Sequence, residues 1–171
     1  TSFRHLIHKD VFIGIQVVGF AHELMRIITG SAKGIRLRTL EGDATRPTAE
    51  RVKEAVFSMI QFDLEERSVL DLFAGSGQMA LEALSRGASE ATLVDKSAEA
   101  VAIIKENAAK TKLSDKCTVY RSDYLDFIRR FSGKQYDIVI LDPPYTLKIS
   151  QWRDLSIGVC MNEDKTVDHF L

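Results

Sequence analysis

The chain has 171 residues, of which 45% are apolar and 27% are charged, so it can form one globular domain with a buried core. This composition excludes a disordered or fibrous protein, and the net charge of -1 argues against a general binder of polyanions. Any contact with nucleic acid must therefore come from a local basic surface. Residues 25–40, which contain basic residues and no acidic one, form such a segment.

Neither cysteines, histidines nor apolar runs indicate a disulfide, a metal site or a membrane segment. Cys117 and Cys160 fall in different predicted elements, which favours reduced thiols in a cytoplasmic protein. The histidines lie near the chain ends without the spacing of metal ligands. The apolar residues 11–20 are too few to span a bilayer, and Met25 resembles a natural start. Residues 1–24 are therefore predicted to be an extension.

The first predicted elements of the domain are a hairpin and a helix. Residues 25–40 are predicted to form two short strands that turn between Gly30 and Gly34, with basic side chains along them. Thr48 is then predicted to cap a helix that runs to about Glu66, because apolar residues recur there at helical spacing.

From residue 69 onward, strands and helices alternate. Strands are predicted at residues 69–73, 91–95, 117–121 and 137–141, and helices at residues 78–86, 97–112 and 124–131. Such alternation predicts right-handed parallel crossovers and an α/β fold with a doubly wound, mostly parallel, Rossmann-like sheet.

The alternation stops after Tyr145. Residues 146–171 are expected to be an atypical tail, and the C-terminal strands of a complete sheet are expected to be missing. The fourth predicted strand would then lie at an open edge, which favours self-association of a protein otherwise expected to be a monomer.

A glycine turn is the first feature that carries chemistry. Asp71 lies in the first strand of the alternation, and Ala74, Gly75, Ser76 and Gly77 form the turn before the next helix. Glycine lets backbone N–H groups approach a ligand beyond the carboxyl ends of the strands. The turn lacks the third glycine of the dinucleotide pattern, and such a turn is often only structural.

Two further carboxylates favour a nucleoside site at the same edge. Asp95 ends the second strand, 18 residues after Gly77, where it can accept hydrogen bonds from both ribose hydroxyls or instead pair with Lys96. Asp123 follows the third strand and can accept from an adenine amine, cap the next helix, or do both.

Asp142, Pro143, Pro144 and Tyr145 follow the fourth predicted strand and form the second constellation. The prolines stiffen the loop and remove N–H donors, so the Asp142 carboxylate and the Pro143 carbonyl present acceptors only. Such acceptors can hold the two protons of a planar amino group and free its lone pair to attack an electrophile. Tyr145 offers an aromatic face to a flipped base. The alternative is a simple proline turn.

These residues resemble the class I S-adenosylmethionine methyltransferases that modify exocyclic amines. The likeness is closest to the bacterial small-subunit rRNA guanine-N2 methyltransferase family, RsmD, over about residues 25–145. It rests on residues 46–48 with 51–57, residues 71–77, residues 81–88 and residues 142–145.

The resemblance implies a role for each segment. Residues 74–77 would border the methionine end of S-adenosylmethionine, Asp95 its ribose and Asp123 its adenine, while residues 142–145 would hold the guanine. Residues 25–47 would form a basic hairpin and RNA-contacting loop, and residues 48–145 the methyltransferase core. The implied RNA contacts are Arg26, Lys33, Arg36, Arg38, Arg46 and Thr48, and the implied partner is small-subunit rRNA, free or in an assembled 30S particle.

Three alternatives remain at this stage. The acidic proline loop would equally serve adenine-N6 methylation of DNA. A nicotinamide-dependent oxidoreductase has a similar sheet, but the missing third glycine and the proline loop disfavour it. An inactive, truncated fragment that retains only cofactor or RNA binding is the third.

Overall fold

The computed structural model describes residues 25–40, 47–130 and 136–142, together with residues 11–14; for residues 11–14 and 47–52 only the backbone is described. The described strands form one parallel five-stranded sheet of order β1-β5-β2-β3-β4. They are β1 (Val11–Gly14), β2 (Ser68–Asp71), β3 (Glu90–Asp95), β4 (Cys117–Arg121) and β5 (Ile138–Leu141). The α/β doubly wound prediction is therefore confirmed.

The described helices are α1 (Pro47–Met59), α2 (Gln78–Ser85), α3 (Ala98–Lys110) and α4 (Tyr124–Arg130). Ser97 caps α3, because its side chain accepts a hydrogen bond from the Ala100 N–H. None of the helices in the described ranges is long and apolar enough to cross a membrane.

Apolar side chains cover both faces of the sheet. On one face α1, α2, α3 and the hairpin pack in a large core that includes Phe57, Leu81 and Ile104. On the other face α4 packs through Tyr124 and Phe127 against side chains of β2, β3 and β5. Helices on both faces leave the two ends of the parallel strands as the places where polar loops collect.

The edge of β5 is paired. β1 lies parallel to β5, with Val11 opposite Ile138 and Gly14 opposite Leu141. The expectation of an open edge at the fourth predicted strand is thus wrong for the described residues, because part of the predicted N-terminal extension supplies the neighbouring strand.

The hairpin, residues 25–40, holds together with few strand hydrogen bonds. Its one antiparallel bridge joins Arg26 to Arg36, and further backbone bonds run from Ile27 N–H to Ile35 O and from Leu37 N–H to Met25 O. Gly30 and Gly34 both have positive φ angles, as a tight turn requires. The predicted hairpin is present, but its strands are too short to form a regular ladder.

Helix α1 differs from its prediction at both ends. It begins at Pro47, so Thr48 lies inside the first turn and is not the cap. Proline suits this position because the first helical N–H groups have no acceptor within the helix. The helix ends at Met59, not near Glu66, because a turn at residues 61–63 returns the chain to the core through Leu64.

Candidate functional site at the carboxyl edge of the sheet

The predicted site residues that follow or end β2, β3 and β5 lie at one end of the sheet. This is the end where the carboxyl termini of the parallel strands meet, and it is called the carboxyl edge below. Asp71 pairs in register with Leu93 of β3 and Ile140 of β5. Asp95 and Asp142 each come two residues after those partners. The parallel strands therefore bring all three carboxylates to the carboxyl edge, where ligands bind in sheets of this kind.

The glycine turn, residues 72–77, crosses this edge in a tight conformation. The Ala74 N–H donates to Val94 O at 3.0 Å, and the Gly77 N–H donates to Ala74 O at 2.6 Å. At Gly77 φ is +80°, and an added Cβ would lie 3.2 Å from the Leu93 side chain. At Gly75 φ is +55° and an added Cβ would meet nothing within 4 Å. Gly77 thus allows close packing, whereas Gly75 borders open space.

Asp95 is held by the backbone on both of its carboxylate oxygens. Oδ2 accepts from the Gly75 N–H at 2.9 Å, and Oδ1 accepts from the Ser97 N–H at 2.8 Å. An ionised carboxylate has about four acceptor positions, so each oxygen retains one for a ligand. The side chain is half-buried, and its orientation is fixed from both sides.

Asp71 is buried beneath the turn, with 2% of its surface exposed. Burial raises its pKa to about 7. The hydrogen bond from the Phe73 N–H lowers this pKa, while the charges of Asp142 and Asp95 raise it further. A positive charge nearby would favour the ionised form of this carboxyl.

Asp123 borders the same edge on the far side of Asp95. The Ser122 N–H donates to Asp95 O at 3.0 Å, which joins the two loops. Asp123 Oδ1 accepts from the Leu125 N–H at 2.9 Å, so the side chain caps α4. Next to it the Phe73 and Tyr124 rings lie 4.9 Å apart and connect the glycine turn to α4. The capping alternative for Asp123 is confirmed and leaves its other oxygen for a ligand.

Residues 142–145 are the loop predicted to hold the acceptor amine, and of these only Asp142 falls in the described residues. It directly follows β5 and is exposed. Pro143 and Tyr145 lie outside the described residues, as do Arg46 of the predicted RNA loop and Cys160.

The hairpin presents basic side chains to solvent on one side. Arg26 and Arg36 face each other across the bridge, and both are exposed, as is Lys33 in the turn. Arg38 is also exposed, but its Nη1 donates to Glu106 Oε2 at 2.7 Å. The alternate residues Met25, Ile27 and Leu37 are buried against the domain.

A buried carboxylate that the sequence analysis missed anchors the hairpin. Glu82 of α2 is fully buried and accepts from the backbone N–H groups of Ile28 at 2.8 Å and Thr29 at 3.1 Å. Its charge is balanced by Lys53 at 3.6 Å and Arg86 at 2.8 Å. Two cations thus flank the one buried carboxylate, whose hydrogen bonds fix the hairpin on α2.

Ser85 and Asn107 are two further buried polar residues that hold the hairpin. The Ser85 hydroxyl donates to Thr29 O at 2.6 Å, and Asn107 Oδ1 accepts from the Arg38 N–H at 2.8 Å. For Asn107 the sequence did carry a signal of a buried polar role. Asn107 lies three and four residues from the buried Ile104 and Ile103, so it is a polar residue on an apolar helix face. Its backbone partners, distant in sequence, could not be found that way.

Within the described ranges, no group of three or more His, Cys, Asp or Glu side chains is placed to hold a metal ion. Burial raises the pKa of the Cys117 thiol to about 11, which makes it a poor nucleophile or ligand.

This sheet, with a glycine turn after β2 and acidic residues at the following strand ends, has the Rossmann-like fold of methyltransferases. A solved Escherichia coli protein, yhhF, provisionally described as a methyltransferase, shares it with a TM-score of 0.73 and 31% identity. The similarity covers 82% of this chain and 74% of that protein.

The chain belongs to the RsmD-like family, described as Conserved hypothetical protein 95, which matches residues 25–165. It is 39% identical over 123 residues to YlbH of Bacillus subtilis, provisionally described as an rRNA methyltransferase. It is 33% identical over 129 residues to ribosomal RNA small subunit methyltransferase D of Haemophilus influenzae. These matches cover 71% and 74% of this chain, and 67% of each relative.

Proposed function

We propose that the chain transfers a methyl group from S-adenosylmethionine to the exocyclic N2 of a guanine in small-subunit ribosomal RNA. The observation that carries the proposal is the convergence of Asp71, Asp95 and Asp142 beside the glycine turn, in a fold shared with methyltransferases. The substrate follows from relatives that are named as methyltransferases of the small ribosomal subunit. Such a substrate implies a cytoplasmic enzyme.

The residues at the carboxyl edge fit a cationic nucleoside cofactor. The open space at Gly75 admits a ligand against the turn, and Asp95 retains acceptors suited to ribose hydroxyls. S-adenosylmethionine supplies a methyl group activated by a positive sulfonium. The ionised form of the buried Asp71 would be favoured by positive charge nearby, and Asp123 offers an acceptor to the adenine amine.

Asp142 is the residue proposed to act on the acceptor base. Its exposed carboxylate at the end of β5 can hold an amino proton and receive that proton once the new N–C bond has formed. The Pro143 carbonyl would hold the second amino proton, and the Tyr145 ring would stack on the base, as the sequence predicts. Positioning and polarisation of the amine then provide most of the rate.

The hairpin is the proposed RNA surface. Arg26 and Arg36 are exposed and lie opposite each other across the bridge, so their two guanidinium groups could contact the phosphates of one RNA strand. Lys33 extends this surface, and Arg38 must exchange Glu106 for a phosphate to join it. Arg46 and Thr48 belong to the same proposal through the family resemblance.

Transfer of a labelled methyl group tests this function. The chain is incubated with labelled S-adenosylmethionine and unmethylated small subunits, naked small-subunit rRNA or duplex DNA, and the nucleic acid is digested to nucleosides. The proposal predicts label in N2-methylguanosine from one of the two RNA substrates. Label in N6-methyladenine from DNA would establish the rival amine methylation, and unlabelled substrates would leave the chain a binding fragment.

A further inference from the structure

Asn107, on α3, connects the hairpin to the glycine turn. Its side chain is fully buried. Its Nδ2 donates to the carbonyls of Arg38 and Ser76, each at 2.9 Å. Its Oδ1 accepts from the Arg38 N–H at 2.8 Å. A single amide thus bonds the second strand of the hairpin and the turn that borders the proposed cofactor.

A second contact joins the same two segments. The Ser76 hydroxyl lies 3.3 Å from Met25 Sδ, to which it donates, and both residues are buried. Met25 lies in the first strand of the hairpin and Arg38 in the second. Both strands are therefore bonded to Ser76, one directly and one through Asn107.

The other anchors of the hairpin have a different geometry. Ser85 bonds to Thr29 O and to the Ala32 N–H at 2.9 Å, which holds the tip of the hairpin on α2. Neither of these bonds involves residues 72–77. Loss of the Ser85 hydroxyl would loosen the hairpin without disturbing its connection to the turn.

We propose that Asn107 is a positioning residue that couples RNA binding on the hairpin to cofactor binding at the glycine turn. Because the Asn107 side chain is fully buried, breaking its hydrogen bonds would leave its amide without partners, so the turn and the hairpin backbone move together. A ligand that immobilises one segment leaves less freedom for the second ligand to remove, which gives positive coupling. This inference rests on the proposed function.

The coupling is measurable by binding alone. Filter binding of purified small-subunit rRNA at fixed salt is compared with and without saturating S-adenosylhomocysteine, which has no methyl group to transfer. In the unmodified chain the cofactor product should raise RNA affinity on the order of five- to tenfold. Calorimetry should show the same factor for cofactor affinity when RNA is bound, since coupling is reciprocal.

Variants separate coupling from stability. The coupling factor is the ratio of RNA affinities with and without S-adenosylhomocysteine. In Asn107→Ala this factor should fall to less than about 2, since the bonds that carry the coupling are lost. Ser85→Ala should weaken RNA binding with and without the cofactor product and keep the factor. Met25→Leu keeps the core volume, so this variant should fold. It removes the sulfur acceptor of the Ser76 hydroxyl, which is one of the two contacts, so it should lower the coupling factor but not abolish it.

The outcomes distinguish failure of the proposed function from failure of the role proposed for Asn107. If the unmodified chain does not bind S-adenosylhomocysteine, or binds neither free small-subunit rRNA nor the assembled small subunit, the proposed function itself is contradicted. Binding of both without coupling, or coupling that survives Asn107→Ala, would remove the role of Asn107 and leave the function standing. If Asn107→Ala does not fold, an unchanged factor in Met25→Leu would overturn the inference.

Discussion

At the residue scale, the carboxylates of the candidate site differ in environment although they share one edge. Asp71 is buried, Asp95 is held by two backbone N–H groups, and Asp142 is exposed. A nearby cation would favour the ionised form of the buried carboxyl, a fixed carboxylate suits recognition of hydroxyls, and an exposed one suits contact with an incoming base. The three residues can therefore serve three roles in one reaction.

The raised pKa of Asp71 predicts how stability depends on pH. A group protonated more readily in the folded state stabilises the fold in acid, and this stabilisation is lost as pH rises from about 4 towards 7. Asp71→Asn keeps the acceptor for the Phe73 N–H but cannot ionise. We expect its stability advantage over the unmodified chain to grow over this range, to a few kcal/mol, in urea unfolding.

Asp137 provides a control of opposite sign. Burial raises the pKa of Asp137, but hydrogen bonds from Ser68 and the adjacent Arg67 charge together lower it below its usual value. Asp137→Asn should be less stable than the unmodified chain at neutral pH, and the difference should shrink in acid. The same pH trend in both variants would contradict the assignment of Asp71.

Asp142→Ala tests the division of roles within the site. Because Asp142 is proposed to contact the base and not the cofactor, turnover should fall on the order of a hundredfold, while S-adenosylmethionine affinity stays within about twofold. Steady-state methyl transfer and calorimetry give the two quantities. Equal losses in both would place Asp142 in the cofactor site instead.

At the element scale, the hairpin depends on docking more than on its own strands. The N–H of Ser31 donates to Ser85 O at 2.8 Å, and Glu82 accepts from two hairpin N–H groups. Two short strand-like segments on either side of the Gly30–Gly34 turn were enough to predict a hairpin with basic side chains along it. The anchors could not be predicted, since Glu82 and Ser85 bond to backbone atoms more than 50 residues away in sequence.

Gly30 and Gly34 form a matched pair that tests docking. Both have positive φ, so alanine at either costs about 1 kcal/mol in backbone strain. At Gly30 an added Cβ would also lie 1.7 Å from Ser85 O, whereas at Gly34 it meets nothing within 4 Å. Gly30→Ala should therefore destabilise by roughly 2 kcal/mol more than Gly34→Ala in thermal or urea unfolding. Equal effects would mean that the hairpin is not docked on α2.

At the scale of the whole molecule, the regular alternation of apolar strands and helices made the doubly wound sheet predictable. The strand bounds of β3 and β4 agree with their predictions to within a residue. Strand β1 was not predictable in the same way, since a four-residue apolar segment carries no sign of a partner more than 120 residues later. Pairing that depends on tertiary contact leaves little trace in local sequence.

The fold and the basic hairpin together give the molecule two adjacent candidate functional regions. The sheet edge offers carboxylates and an open turn, and the hairpin offers exposed cations, with α2 and α3 bonded to the hairpin backbone. The relative placement of a bound base and a bound cofactor would then be set by the rigid core of the domain. Methyl transfer requires such placement, because the reacting atoms must meet in line.

The most direct test of the account is calorimetric titration of S-adenosylmethionine into the full chain, with Asp95→Ala as the comparison. We predict saturable one-to-one binding that the substitution weakens at least about tenfold, because the carboxylate bonds to the turn and is proposed to bind the ribose. Absence of binding in the unmodified chain, or equal affinity in the variant, would contradict a cofactor site at the carboxyl edge.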